Sequence, residues 1–500
     1  MAASLIINFQ AVDARNVKAR PLLLISFDGF RWDYLTRAKL PNIERIIREG
    51  VHATDGVKNV VDTSTLPNHW TLVTGLYPES HGIIGNFLRD DKIDKVFVPK
   101  YINADYDNDP RYYDDGGEPI WVTNQLQGGR TGSIMWWGSE NAVKWSRPTL
   151  QMPYDDNVNF TRRVDVMIEW LSQEYPVNLG LIYFFEPDHI GHTTGPDSVN
   201  VTEAIKYTDV IVGYLFDRLK EKNMLNSINV IITSDHGMTT TSEHTLIFLD
   251  DYINIEDYDI LSHDTVIAHI FPHKGKLDKV FSALEKASKE PNSHFRVYLA
   301  KDIPERFHMK NNHRVPPIVA FTDIHYRFVA NASRGDHFPL AGIHGYDNEE
   351  KDMRPFFIAT GPDFKKNYTV SSFDSVDVYP LMCQLLGIKP APNNGSLNIV
   401  STLLKHHEDD TAATLYTYIF VIIVANVVAG VFAVAVFRQH RYLKKRNTWM
   451  KLTPIDTKKR VRSTRPKDIA AAGVHLMAED KDHVSDEDEI DDMNDKNRNK

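Results

Sequence analysis

The chain has 500 residues, 42% of them hydrophobic, with a formal net charge of −10. That is enough apolar material for one large globular domain with appendages, and it excludes a wholly disordered chain. The acidic balance excludes a general nucleic-acid binder, which needs a basic surface against backbone phosphate, so no nucleic-acid binding is expected.

Residues 1–14 are read as a signal peptide, because Ala3 to Ala11 is a short apolar stretch and Val12 and Ala14 sit at small-residue cleavage positions. From Arg20 to about Pro390, short apolar runs alternate with amphipathic stretches. This pattern predicts an α/β domain with a largely parallel central sheet and helices on both faces. Leu22 to Phe27, Leu179 to Phe185 and Ile228 to Thr233 read as buried strands, each followed within a few residues by an aspartate: Asp28, Asp188 and Asp235. Ligands of such sheets bind beyond the carboxyl ends of the strands, so the three acids are expected to converge.

Asn68 to Thr74 reads as the start of a helix with Pro67 in its first turn. Thr65, just ahead of it, lies where orphan N–H groups and the helix dipole favour an anion. An N-cap role for Thr63, Ser64 or Thr65 is the alternative. Between about Thr239 and Phe338, DTVIAHIFP and FRVYLA flank the helix-like KLDKVFSALEKAS, and PPIVAF follows; a smaller inserted α+β lobe is expected over 239–338. Cys383 is the sole cysteine, which excludes an intrachain disulfide. Within SVDVYPLMCQLLGI it is expected to be a buried, inert thiol.

Residues 391–414 read as a connector, and Leu415 to Phe437 carries no charge and is long enough to cross a hydrocarbon core of roughly 30 Å. Arg438, Arg441, Lys444, Lys445 and Arg446 follow at once, which places that side in the cytoplasm. Sequons begin at Asn159, Asn200, Asn331, Asn367 and Asn394, and none lies after the apolar segment. The expectation is a single-pass type I protein of the plasma membrane with its domain outside. The tail, 438–500, is charged, poor in aromatics and expected to be disordered.

Asp188 and His192 come from EPDHIGHTTGP, Asp235 and His236 from TSDHGM, His344 from GIHGYDN and Asp28 from SFDGF. Zinc takes His nitrogen and Asp oxygen, and a catalytic zinc pair about 4 Å apart needs such a ligand set around a nucleophile. Any one of the 21 histidines is a weak signal. Three acids at three strand ends, with histidines one or four residues away, are strong together.

The runs FDGFRWDYL, TLPNHWTLVTGLYPESHGIIGN, YFFEPDHIGHTTGP, TSDHGM and GIHGYDN, in this order, closely resemble the ectonucleotide pyrophosphatase/phosphodiesterase family over roughly residues 20–390. The resemblance implies an alkaline phosphatase-like fold and two Zn2+ ions. One ion would be held by Asp188, His192 and His344, the other by Asp28, Asp235, His236 and Thr65. It also implies Thr65 as the attacking group, Asn86 on a phosphate oxygen and a small phosphodiester or nucleotide substrate.

Several positions depart from the family pattern. Leu66 stands where nucleotide-directed members have a base-stacking aromatic, Phe185 replaces a common acid before E-P-D, and Trp137 replaces the proline of W-P-G. Tyr154 is the candidate second stacking residue. These departures keep two alternatives open: a phosphodiesterase of choline or lipid head groups, and a weakly catalytic cell-surface binding protein.

Overall fold

The Leu22–Phe27 strand is buried along its whole length, as a strand without alternating polarity must be when helices cover both faces of its sheet. A computed structural model describes residues 19–93, 95–97, 109–330, 339–405 and 407–450. The expected leader, Asn331 and the tail beyond 450 lie outside them.

The central sheet has eight strands: β1 (Leu22–Phe27), β2 (Val51–Ala53), β3 (Thr131–Ile134), β4 (Leu150–Met152), β5 (Leu179–Phe184), β6 (Asn229–Thr233), β7 (Phe357–Thr360) and β8 (Tyr368–Val370). Their order is β8-β2-β7-β6-β1-β5-β3-β4. Only β7 runs against its neighbours, so the sheet is largely parallel, as expected. The register pairs Leu22 with both Leu179 and Asn229, which brings the carboxyl ends of β5, β1 and β6 side by side.

Residues of opposite parity on β1 show that helices cover both faces. Leu23 packs with Met167 of the Phe160–Ser172 helix above Gly180, where an added Cβ would lie 2.4 Å from Leu23 Cδ2 and 2.6 Å from Met167 Sδ. Ser26, on the other face, meets His69 Nε2 of the Thr65–Thr74 helix at 2.8 Å.

The inserted lobe is an antiparallel sheet in the order Tyr258–Ile260, Ile267–Pro272, Ile318–Thr322, Phe295–Leu299. The Leu277–Ser288 helix buries Val280, Leu284 and Ala287 in a core shared with Ala268, Ile270 and Phe295. Ile267, Val319 and Phe321 point the other way and pack with Val61, Ile343 and Tyr346 of the main domain.

The packed domain runs past the expected boundary at 390. Val400 and Leu403 are buried in the main core, and Leu404 bridges to Phe364, so the first part of the expected connector belongs to the fold. The His407–Met450 helix follows, and from Tyr418 on it belongs to a separate unit. Its Thr417–Thr448 stretch is long and apolar enough to cross a membrane. The helix continues through Met450 rather than giving way at 438, because Arg438 to Arg446 form helices readily even though they end the apolar run. Cys383 is buried, as expected.

Candidate active site

The three aspartates meet where β1, β5 and β6 end. The Asp28 N–H donates to the Phe184 carbonyl at 2.8 Å, and the Asp28 carbonyl accepts from the Asp188 N–H at 3.1 Å, so backbone ties their positions together. Gly29 has φ +68°, and a Cβ there would stand 2.8 Å from Asp188 Cβ; only glycine allows this turn so close to its neighbour. Asp235 is held by the Gly29 N–H at 3.2 Å and by the Ser234 hydroxyl at 3.0 Å, both on Oδ1.

Two groups of three side chains result: Asp188, His192 and His344, and Asp28, Asp235 and His236, each with donor atoms within 4.8 Å of one another. His192 is four residues along the Asp188–Thr194 helix from Asp188, which puts both on one face. His192 Nε2 lies 3.4 Å from Asp188 Oδ2, and His344 Nε2 lies 3.5 Å from Asp188 Oδ1. His236 Nε2 is 3.2 Å from both Asp28 Oδ1 and Asp235 Oδ2. The His236 and His344 rings stack with centroids 3.6 Å apart, which joins the groups into one centre.

Thr65 Oγ1 reaches the same point, 3.3 Å from His236 Nε2. Thr65 is the first residue of the Thr65–Thr74 helix, with Ser64 at the N-cap, so the helix begins earlier than Asn68 and Thr65 is not the cap. Pro67 fits inside that first turn because the turn's N–H groups have no intrahelical acceptor.

The donor atoms suit cations. His192 Nδ1 faces the Gly342 carbonyl at 2.9 Å, His236 Nδ1 the Gly237 carbonyl at 2.8 Å and His344 Nδ1 the Thr63 carbonyl at 3.1 Å. A carbonyl can only accept, so each Nδ1 carries the proton and each Nε2 is left as a donor to metal. Asp28 Oδ1, Asp188 Oδ1 and Asp235 Oδ2 are buried without a hydrogen-bond partner, which is costly unless positive charge is supplied. Burial and neighbouring Asp188 push the Asp28 carboxyl above its usual range, and burial with Asp28 pushes Asp235 up to about 7. Burial and His236 hold His344 well below the ordinary imidazole range. His236, against the effect of burial, is drawn up to about 10 by Asp235 and Asp28; the spot calls for positive charge.

A third group, Asp90, Asp115 and His313, lies equally close together. There the charge is already balanced, since buried Arg314 donates through Nε to Asp90 Oδ2 at 2.7 Å.

The centre opens into a cavity of about 650 Å³. Asn86 lines it, its Oδ1 accepting from the Leu66 N–H at 2.9 Å, which fixes the amide beside Thr65. Tyr154 lines it too, 5.2 Å from Trp137 and 6.3 Å from Tyr183 between ring centroids; with Phe185 these rings make an aromatic wall. Leu66 is buried in the main core and gives the cavity no face.

Sequence reasoning missed several residues. The Tyr183 hydroxyl donates to Asp28 Oδ2 at 2.5 Å. His69 Nδ1 donates to the Thr65 carbonyl at 2.8 Å and stands 3.3 Å from Asp235 Oδ2; its place four residues after Thr65 on a helix was the available signal. The lobe supplies a second wall that includes Val266, Ile267 and His269, and no local pattern announced it.

A doubly covered, largely parallel sheet with two Asp/His groups at adjacent strand ends is the arrangement of an alkaline phosphatase-like hydrolase, and the relatives place its action on phosphodiester or pyrophosphate bonds. The family model described as type I phosphodiesterase / nucleotide pyrophosphatase matches residues 22–347. Human ectonucleotide pyrophosphatase/phosphodiesterase family member 5 is 44% identical over 383 residues, covering 77% of this chain and 78% of that protein. Human bis(5'-adenosyl)-triphosphatase ENPP4 is 40% identical over 386 residues, covering 77% and 82%. The structure of murine family member 5, an inactive variant in complex with AMP, superimposes with a TM-score of 0.73 at 42% identity, over 77% of this chain and all of that one. The chain belongs to the ectonucleotide pyrophosphatase/phosphodiesterase family.

Proposed function

We propose that this protein is a zinc-dependent ecto-phosphodiesterase that cleaves phosphodiester or pyrophosphate bonds of extracellular nucleotides, with Thr65 as nucleophile. The observation that carries the proposal is the placement of Thr65 Oγ1 at 3.3 Å from His236 Nε2, at a centre of two Asp/His groups in which one oxygen of each aspartate is buried without a hydrogen-bond partner. Asp188, His192 and His344 would hold one Zn2+, and Asp28, Asp235, His236 and Thr65 the other. Bound there, the ions supply Lewis acidity toward the phosphate and lower the pKa of oxygens bound to them.

The protein's own groups divide the remaining work. Thr65 presents its oxygen to phosphorus, the bond to the leaving oxygen breaks, and water then hydrolyses the phospho-threonine ester. Asn86, oriented by the Leu66 N–H, offers its amide to a non-bridging oxygen. Tyr183 and the backbone of Gly29 keep Asp28 and Asp235 aimed inward.

The aromatic wall around Tyr154 suits a nucleobase, and the relatives point the same way: one is named for a dinucleoside triphosphate, and another was solved with AMP. The murine relative's inactivating change is a threonine-to-alanine replacement, the loss expected of a threonine nucleophile. The Thr417–Thr448 helix and the basic cluster after residue 437 fit a single-pass type I protein of the plasma membrane. Asn159, Asn200, Asn367 and Asn394 are exposed, as glycan acceptors on an external domain must be.

Thr65→Ala is the test. Hydrolysis of a chromogenic nucleotide diester should fall below about one per cent of wild type while zinc content stays near two per chain; retained turnover would remove Thr65 from the mechanism. Faster turnover of a choline phosphodiester than of a nucleotide diester by wild type would select the head-group alternative.

A further inference from the structure

Two polar side chains, half-buried Asp62 and buried His269, line the cavity without a part in the proposed chemistry. Asp62 lies three residues before Thr65, and His269 sits on the lobe strand Ile267–Pro272. Asp62 Oδ1 and His269 Nε2 are both buried and have no hydrogen-bond partner, and His269 is only 5% exposed.

The two converge on one spot. A Cβ placed on Gly85, the residue before Asn86, would lie 3.3 Å from His269 Cε1 and 3.5 Å from Asp62 Oδ2. A Cβ on Gly345, the residue after His344, would lie 3.2 Å from Asp62 Oδ1. The pair therefore borders both the phosphate-facing amide and one end of the metal centre, on the wall shared with Val266 and Ile267 rather than the aromatic wall.

Both positions are rigidly built. Asn68 donates to the Asp62 carbonyl at 2.9 Å and accepts from the Val60 N–H at 2.9 Å, bracing the segment that carries Asp62. His269 pairs with Val319 in the lobe sheet; its neighbours Ala268 and Ile270 enter the lobe core, so strand alternation turns His269 toward the cavity. Burial holds the His269 imidazole neutral, down at about 4, and pushes the Asp62 carboxyl up to about 7. Desolvated groups of this kind are expensive to leave unpaired and are satisfied by a ligand that brings its own hydrogen-bonding groups.

We propose that Asp62 and His269 form a subsite for the second substituent of the phosphodiester, the part not held by the aromatic wall, and that they select substituents carrying hydroxyl or amine groups next to the ester oxygen. A polyol or amino alcohol satisfies both atoms, whereas an alkyl group of the same size leaves both unmet. Sites built to bond a substrate hydroxyl reject analogues that lack it by large factors.

This rests on the phosphodiesterase reading, and the experiment separates the two. The full chain in detergent is assayed on the glyceryl, n-propyl and 4-nitrophenyl esters of thymidine 5'-monophosphate. Wild type should prefer the glyceryl to the propyl ester by about tenfold or more in kcat/KM, and Asp62→Asn and His269→Gln should each erode that preference several-fold, mainly through KM. Leaving-group acidity alone would give a preference that the variants retain. Equal values for glyceryl and propyl in wild type, or a preference unchanged in both variants, would overturn the subsite. Failure to cleave even the nitrophenyl ester would instead overturn the phosphodiesterase reading.

Discussion

Gly29 shows how finely the centre depends on single atoms. Its positive φ and the 2.8 Å approach to Asp188 Cβ leave no room for a side chain, so Gly29→Ala must move Asp188, the carboxylate that both His192 and His344 approach. Zinc content measured after dialysis should fall for Gly29→Ala, with the secondary structure retained; a variant that keeps two zinc ions and full activity would show that the close approach is not needed. Asp28, Asp188, Asp235 and their histidines were legible in the sequence because each ends a strand or follows an aspartate at a fixed offset. Tyr183, Asp62 and His269 were not, since each owes its place to a contact with a distant segment: Tyr183 with Asp28 across two strands, and His269 with Gly85 from the inserted lobe.

The element that presents Thr65 is braced from below by a buried histidine. His81 Nδ1 accepts from the Ile83 N–H at 3.1 Å, so Nε2 carries the proton toward Thr71 Oγ1 at 3.0 Å on the Thr65–Thr74 helix. Burial, and then Arg314, depress the His81 imidazole to about 3, against roughly 6.5 in the unfolded chain. The unfolded state thus binds the proton first as pH falls. The stability contributed by neutral His81 is complete above about 6.5 and is lost as pH drops toward 3, by about 2 kcal/mol at pH 5. His81→Gln should be less stable than wild type at pH 7 by about 1–3 kcal/mol, yet lose less between pH 7 and 5 in denaturant titrations; parallel losses would contradict the buried neutral state. Element types were read correctly from apolar runs and periodicity, while boundaries moved for physical reasons, two of them within the catalytic domain. The Thr65–Thr74 helix starts early because its first-turn N–H groups need no intrahelical acceptor. The domain continues beyond 390 because Val400 and Leu403 fill the core, a demand of tertiary packing that the polar residues between Asn393 and Asn398 conceal.

For the whole molecule, the catalytic unit and the apolar helix are distinct bodies, and the packed residues run through Lys405. A chain ending after Lys405 should be secreted as a soluble, active enzyme, whereas one ending at Pro390 should aggregate, since it exposes the surface that Val400 and Leu403 cover. Comparing expression and activity of the two truncations checks this, and equal behaviour would place the end of the domain earlier. The most direct test of zinc-dependent phosphodiester cleavage is the hydrolysis of 4-nitrophenyl thymidine 5'-monophosphate by the full-length protein, before and after chelation and on titrating zinc back. Activity should vanish with the metal and return in proportion as two equivalents are bound. Full activity in the metal-free protein, or a folded, zinc-loaded protein that leaves the diester intact, would contradict it.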